Sequence, residues 1–346
     1  MSQGVFISKE SNNIANKKYK TILDDIKYEV EHFKLSAICL FLHVPRSRTK
    51  IKIDYEEVKT YCQKNNVEIW PHGTYILPGL WSITYDNKDT EKSIGWLDHL
   101  YDQLEAGYKI GAKGISVHLP RKTLSTVVES MEIISSYNKI KELQKLAKKD
   151  NADMPLLLIE MTASSPSPTL TYETPDKLNK LVNALTSNKK ITVDWGINLD
   201  TCHNYASGVS FSEINSWTKW VDKLSKDTHD KLRLIHLNGA KGTNFGTGKD
   251  SHQIPLSPTD NIWGHLVSER FRNYLDKISV KEIEKINLYE KLTPSEKTII
   301  RNSSLNELVQ WCKNKQPAAA MIMEINIKDY KNTKFAIDVI NSLLSK

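Results

Sequence analysis

Histidine, glutamate and aspartate recur at the ends of short apolar runs in this sequence, and these are the residues that could do chemistry. His72 lies late in Val-Glu-Ile-Trp-Pro-His-Gly-Thr-Tyr, His118 closes Gly-Ile-Ser-Val-His, and Glu160 closes Leu-Leu-Leu-Ile-Glu. Asp200 ends the next run, with His203 three residues later in Leu-Asp-Thr-Cys-His. His236 closes Leu-Arg-Leu-Ile-His, Asp250-Ser-His252 follows it, and Glu324 closes Met-Ile-Met-Glu. A lone imidazole or carboxylate in such a place is ordinarily a hydrogen-bonded structural group. Five of the ten histidines and four carboxylates in equivalent places are another matter. Carboxylates gathered on one surface repel, and desolvating them is costly unless cations offset their charge. Imidazole mixed with carboxylate suits Zn2+, with Mn2+ or Fe2+ as alternatives, whereas an all-oxygen set would suggest Mg2+ or Ca2+. Nine ligands are too many for one ion. At roughly three or four per ion, with one carboxylate shared and positions left open for water and substrate, they fit about three. Sites of that kind serve phosphoester hydrolysis, because bound water loses a proton near neutral pH and the ions stabilise the crowded phosphate and the leaving oxygen.

The apolar runs themselves define the elements that must position these groups. They are Gly4–Ser8, Ala37–Leu42, Val67–Tyr75, Gly114–His118, Pro155–Glu160, Gly196–Asp200, Leu232–His236 and Ala320–Glu324. Between them lie longer stretches with helical periodicity, for example Ser93–Ile110, Thr123–Lys149 and Phe211–Ser225. Alternation of this kind builds a parallel sheet, and eight repeats of it predict an α/β fold of the (β/α)8 TIM-barrel type. In such barrels the active site sits at the C-terminal ends of the strands, where the histidines and carboxylates fall. The Lys/Glu-rich stretch Val280–Ser303 is expected to be a helical insertion before the last strand, within a single domain spanning residues 1–346.

Composition narrows the class. Hydrophobic residues make up 39% and charged residues 26% of the chain, which is globular and excludes wholesale disorder. The 48 Lys+Arg against 41 Asp+Glu leave a formal charge of +7, which suits a polyanionic partner, although a solvated lysine surface gives the same count. Cys39, Cys62, Cys202 and Cys312 show no C-x-x-C spacing and read as thiols in a reducing compartment. The opening residues lack a basic region followed by an apolar one, and no apolar run reaches the ~18–20 residues that span a bilayer. A soluble, intracellular, monomeric protein with no membrane partner is the expectation.

Three motifs resemble those of endonuclease IV, the zinc-dependent apurinic/apyrimidinic endonuclease family of DNA repair. Pro71-His-Gly-Thr-Tyr-Ile76 is similar to its P-H-x-x-Y-L segment, and Leu199-Asp-Thr-Cys-His-Asn-Tyr-Ala-Ser-Gly208 to its D-T-C-H-x-x-x-A-G signature. Ile235-His-Leu-Asn-Gly-Ala-Lys241 is similar to its H-L-N-D-x-K motif. The resemblance covers nearly the whole chain, and the D-T-C-H run is its most specific part. It implies one Zn2+ held by His72, His118 and Glu160. A second would be held by Glu160 as a bridging, catalytic carboxylate with Asp200, His236 and Glu324. A third would be held by His203, Asp250 and His252. Mn2+ is an alternative occupant of one position. The resemblance further implies that Tyr75 and Ile76 wedge into duplex DNA at an abasic site, with Arg46 as an inserted arginine. The departures fall in loops: Phe6 stands where the family has His, Glu160-Met-Thr-Ala-Ser-Ser165 lacks the family's glycines, Gly239 replaces Asp, and Asp250-Ser-His252 lacks the family's Arg.

The activity so implied is hydrolysis of the phosphodiester 5′ to abasic sites in double-stranded DNA, with trimming of blocked 3′ ends as a companion activity. Two alternatives stand beside it. A sugar isomerase or epimerase on the same barrel would also gather His, Glu and Asp at strand ends, though with fewer ions and a more carboxylate-rich set. A DNA-binding barrel could keep the ligands and have lost turnover through its altered loops.

Overall fold

Runs of Leu, Ile and Val without polar alternation are stable as strands only when both faces are covered, and the tertiary structure covers both. The computed structural model describes residues 3–6, 21–315, 318–324 and 329–345. Eight parallel strands are formed: β1 Gln3–Phe6, β2 Ala37–Cys39, β3 Glu68–Ile69, β4 Gly114–Leu119, β5 Leu156–Met161, β6 Trp195–Asp200, β7 Leu232–His236 and β8 Ala320–Met323. Their order is β3-β2-β1-β8-β7-β6-β5-β4. The two ends of this sheet meet at His72, which bridges in parallel to Phe41 on one side and to Ser116 on the other. The Ser116 N–H donates to Pro71 O (3.0 Å) and the Gly73 N–H to Ser116 O (2.7 Å), which closes the barrel. Helices pack outside, so the chain is an α/β TIM barrel.

The barrel interior is a small plug of Ala37, Cys39, Trp70, Leu158, Leu234, Ala320 and Ile322, separate from the large apolar layer between strands and helices. Leu158 lies at its centre because its neighbours make room. A Cβ added to Gly114 would come within 2.8 Å of Leu158 Cδ1, and one added to Gly196 within 3.1 Å of its Cδ2. Side chains alternate along a strand, so the residue two positions beyond a plug residue also points inward, one layer higher. Trp70, Leu158, Leu234 and Ile322 therefore place His72, Glu160, His236 and Glu324 over the plug. Ser116 and Asn198, both buried, do the same for His118 and Asp200.

Several elements differ from their sequence expectations. The third run forms regular strand only at Glu68–Ile69, because Pro71 has no N–H to donate and the pairing resumes only as single bridges at His72. Thr123–Lys149 is two helices, Leu124–Ser136 and Asn138–Lys149, broken at the extended Tyr137, whose hydroxyl donates to Asp98 Oδ1 (2.6 Å). Phe211–Ser225 contains only the short helix Ser216–Val221. The stretch Val280–Ser303 is not one helix. It divides into helix Val280–Ile283, a 3-10 turn at Leu288–Lys291 and helix Pro294–Arg301. Capping boxes at Ser279/Glu282 and Thr293/Glu296, the latter followed by Pro294, start two of these pieces afresh. Ile7 and Ser8 of the first run lie outside the described residues. No helix among those described is long and apolar enough to cross a membrane.

Leu158→Ala should remove the centre of the plug without touching a polar group. A loss of about 2–5 kcal/mol is expected in equilibrium denaturant unfolding. A change below about 1 kcal/mol would show that the interior collapses around the gap.

Candidate metal centre

The six inward-pointing groups above the plug converge with three more from loops. His72 Nε2 is 3.2 Å from His118 Nε2 and 3.4 Å from Glu160 Oε2. Glu160 Oε1 lies 3.1 Å from His236 Nδ1 and 3.7 Å from His118 Nε2. His236 Nδ1 is also 3.2 Å from Glu324 Oε2 and 3.8 Å from Asp200 Oδ2. On the other side, His252 Nε2 lies 3.4 Å from Asp200 Oδ2 and 3.1 Å from Asp250 Oδ1, and His203 Nε2 is 3.7 Å from Asp250 Oδ2. The ligand atoms of His72, His118 and Glu160 form one compact group, those of Glu160, Asp200, His236 and Glu324 a second, those of Asp200, His203 and His252 a third, and those of Cys202, Asp250 and His252 a fourth, so that the expected set of His203, Asp250 and His252 is divided between the last two. All nine residues read from the sequence are thus brought together.

His203, Asp250 and His252 come from outside the strands. Asp200 caps the short helix Thr201–Ala206, its Oδ1 accepting from the His203 N–H (2.9 Å), and this turn swings His203 back over the barrel. The loop that follows β7 returns as a two-stranded ribbon, Gly239–Ala240 against His252–Gln253, which delivers His252. Asp250 is the most open member, with its side chain 48% exposed.

The imidazoles are oriented by their second nitrogens. His72 Nδ1 meets Gly73 O (2.6 Å), His203 Nδ1 meets Met161 O (2.9 Å) and His252 Nδ1 meets Glu324 O (3.0 Å). A carbonyl accepts only from N–H, so these contacts leave Nε2 of His72, His203 and His252 as the lone-pair face. One residue not singled out in the sequence ties the Asp200 carboxylate to the backbone that carries Glu324. Asn238 donates to Asp200 Oδ2 (2.7 Å) and accepts at Oδ1 from the Glu324 N–H (2.8 Å), while its own N–H and C=O are held by Thr201 Oγ1. Its signal is its parity: Asn238 lies two residues beyond His236 and faces the same way. Cys202 is also close, its Sγ donating to Asp250 Oδ1 (3.5 Å). Burial, then Asp200, pushes that thiol far up, so it supports the carboxylate as S–H.

Electrostatically the cluster calls for cations. Burial would raise the Glu160 carboxyl, yet His236 and His118 hold it well below its ordinary value. Burial would lower His203 and His252, but for His203 Asp200 and Asp250 outweigh it and raise the group to about 9. For His252, Asp200, Asp250 and Glu324 raise it to about 10. Protons on the imidazoles are the substitute when no metal is bound. Glu160 Oε2, Glu324 Oε2 and His252 Nε2 are nonetheless buried without a hydrogen-bond partner among the described residues. Orphaned donor-set atoms facing one another are what ligation would satisfy, and the residues fit Zn2+ or a similar ion.

Tyr75 lies on the roof of the first group, 44% exposed, with its ring 5.6 Å from that of His72 and 5.7 Å from that of His118. Its N–H donates to Pro45 O (2.7 Å), which docks the loop carrying the exposed Arg46 beside it. Arg48 of the same loop lies back on the helix Glu91–Ile110, so close that a Cβ on Gly95 would be 2.8 Å from its Nη2. Ile76 is half-buried at the start of the 3-10 turn Leu77–Ser82. Underneath, Thr74 Oγ1 meets His99 Nε2 (2.7 Å), and the Thr74 N–H donates to Gln103 Oε1 (3.3 Å). Phe6, the departure noted in the first strand, lies in β1 without a described side chain.

A parallel barrel whose rim gathers five imidazoles and four carboxylates defines an α/β protein with a candidate polynuclear metal centre. Residues 29–299 match the family described as xylose isomerase-like TIM barrel, and the chain belongs to that family. A probable endonuclease 4 of Streptomyces avermitilis is 28% identical over 220 residues, which cover 63% of this chain and 63% of that relative. The match therefore spans less than two thirds of the relative's own length. Endonuclease IV from Thermus thermophilus shares the fold at a TM-score of 0.60 and 16% identity, covering 100% of this chain and 99% of that one. A D-psicose 3-epimerase from Clostridium cellulolyticum shares it at 0.52 and 12%, covering 100% and 98%. Such likenesses speak for the fold alone.

Two outcomes follow for the supporting groups. Asn238→Ala should weaken metal retention by about 10–100-fold in chelator competition, because Asp200 and the Glu324 backbone both lose their tether; unchanged retention would show that the ligands hold themselves. His99 is held down at about 4, first by burial and then by His43 and Arg48. Its folded value lies below its unfolded one, so it contributes stability that is lost as pH falls from about 6.5 toward 4. His99→Gln should flatten the fall in unfolding midpoint over that window relative to the unsubstituted protein, and parallel curves would remove His99 from the explanation.

Proposed function

We propose that this protein is a metal-dependent DNA-repair hydrolase that incises the phosphodiester 5′ to abasic sites in duplex DNA and also trims blocked 3′ ends. The observation that carries the reading is the histidine-rich convergence of these nine residues into four overlapping groups, the fourth completed by Cys202. An epimerase needs to polarise one or two oxygens of a sugar, and it has no use for a third imidazole-lined group. Phosphodiester hydrolysis does, since charge develops at the attacking, non-bridging and leaving oxygens together.

In this proposal His72, His118 and Glu160 hold one Zn2+, Glu160, Asp200, His236 and Glu324 a second, and His203, Asp250 and His252 a third. Bound zinc would supply water activation near neutral pH and neutralise the phosphate's developing charge. Glu160 would be the bridge: its Oε2 faces His72 at 3.4 Å, and its Oε1 lies 3.7 Å from His118 and 3.1 Å from His236, within reach of both sets. Asp250, the most exposed ligand, leaves the third position open to a phosphate from solvent. Tyr75 stands upright over the first group and, with Ile76 and the neighbouring Arg46, fills the gap left by an extruded abasic nucleotide. The excess of lysine favours the duplex as a polyanion.

Incision of a duplex carrying one abasic analogue, measured beside metal content on the same preparation, tests this. Cleavage 5′ to the lesion with about three zinc ions per chain is expected. One or two Mn2+ or Mg2+ per chain and no incision would support the epimerase instead. Glu160→Ala should abolish incision and lower metal content by more than one ion, whereas His203→Ala should lower it by about one. Full metal and a near-normal rate in Glu160→Ala would refute the bridge.

A further inference from the structure

The loop between β7 and the ribbon strand His252–Gln253 holds a feature that metal binding does not explain. Phe245 is 50% exposed, although phenylalanine is ordinarily buried. Its ring rests against Tyr205, centroids 5.0 Å apart and planes at 64°, so one side is supported while half of the ring remains in water. A slack loop would fold such a side chain inward. This one is fastened: the Gly246 N–H donates to Tyr205 O (3.2 Å), the Gly248 N–H to Ala206 O (2.8 Å), and Ser165 Oγ to Thr247 O (3.1 Å). Gly248, at φ 73°, lies against the loop after β5 so closely that a Cβ would be 2.4 Å from Ser165 N. The loop is thereby pinned to the helix that carries His203, and it runs directly into Asp250. Phe245 is held in register with the third ligand group. Lys241 and Lys249, both exposed, lie four residues before and four after it in the same loop and take part in no ion pair among the described residues.

Tyr75 is the exposed aromatic beside the first ligand group, and Phe245 is a second one on the far side, next to the helix that carries the third. A half-exposed aromatic ring on a loop that also carries two exposed lysines has the chemistry of a nucleic-acid contact: the lysines meet phosphates, and the ring meets the face of a base or the apolar side of a deoxyribose. We infer that Phe245, with Lys241 and Lys249, forms a second DNA contact on the third-group side, in which Phe245 stacks on a nucleobase of the strand running past His203. Stacking takes any base, which suits recognition of a lesion independent of sequence. Both the altered loop at Ser164–Ser165 and the strap Gly246–Gly248 serve to hold this ring in place. The inference rests on the reading that the partner is abasic duplex DNA.

The test uses the full-length, metal-loaded protein and a duplex with one tetrahydrofuran abasic analogue, with 2-aminopurine placed in turn at each flanking position. Binding is followed by anisotropy, stacking by quenching of the aminopurine, and incision separately under saturating conditions. Wild-type protein should quench one position selectively. Phe245→Ala and Phe245→Leu should both lose that quenching and bind roughly tenfold or more weakly, with kcat little changed; Phe245→Trp should restore both. Lys241→Ala and Lys249→Ala should each reduce the salt dependence of binding by about one phosphate contact. Incision by wild type with unchanged binding and quenching in Phe245→Ala would overturn the stacking role and leave the proposed function standing. A wild-type protein that neither binds nor incises the duplex would overturn both.

Discussion

The strict alternation of side chains along a barrel strand is the constraint on which the rest of this molecule depends. Six strands contribute an inward residue to the plug layer and, two positions later, an inward residue to the layer above. The lower layer is chiefly apolar and packed around Leu158. The upper one is entirely imidazole and carboxylate. A one-residue slip in any of these strands would turn a ligand toward the helices and bury a charge in hydrocarbon. Register and chemistry are therefore enforced together.

The upper layer is an electrostatic problem as a bare cluster. Glu160, Asp200 and Glu324 face one another inside a few ångströms, and the imidazole of His236 between them is drawn toward protonation for that reason. Protons and metal ions compete for the same lone pairs, so loading such a centre expels protons. The orientation of the rings already anticipates the second state. Backbone carbonyls of Gly73, Met161 and Glu324 occupy the outer nitrogens, and Asn238 links the Asp200 carboxylate to the Glu324 backbone N–H. These partners make the geometry of the donor set independent of what fills it.

Around that fixed centre, the loops differ in how they are held. Tyr75 is braced from below by Thr74, His99 and Gln103 and from the side by Pro45. Phe245 is braced by Tyr205 and by Gly248 packed on the loop after β5. Rigid presentation of exposed aromatics keeps them from collapsing onto the surface and leaves less entropy to lose when a partner binds.

Much of this is legible in the residue order because it depends on local rules. Apolar runs at regular intervals specify a parallel barrel, and the polar residues late in six of them specify the rim, so six of the nine candidate positions follow from the strand pattern, while His203, Asp250 and His252 are marked only by the short motifs that follow β6 and β7. Asn238 follows the same parity but carries no ionisable group, so it stands in the His-Leu-Asn motif without its role being legible. Pro71 and the capping signals at Ser279 and Thr293 are local too, and they explain the shortened third strand and the broken stretch Val280–Ser303. What residue order could not decide was nonlocal. The meeting of His72 with Ser116 to close the barrel, the return of the ribbon that delivers His252, the folding back of Arg48 beside an exposed Arg46 and the pinning of Phe245 all join segments far apart in the chain. Contacts of that kind are selected by packing of the whole fold, and no window of sequence contains both partners.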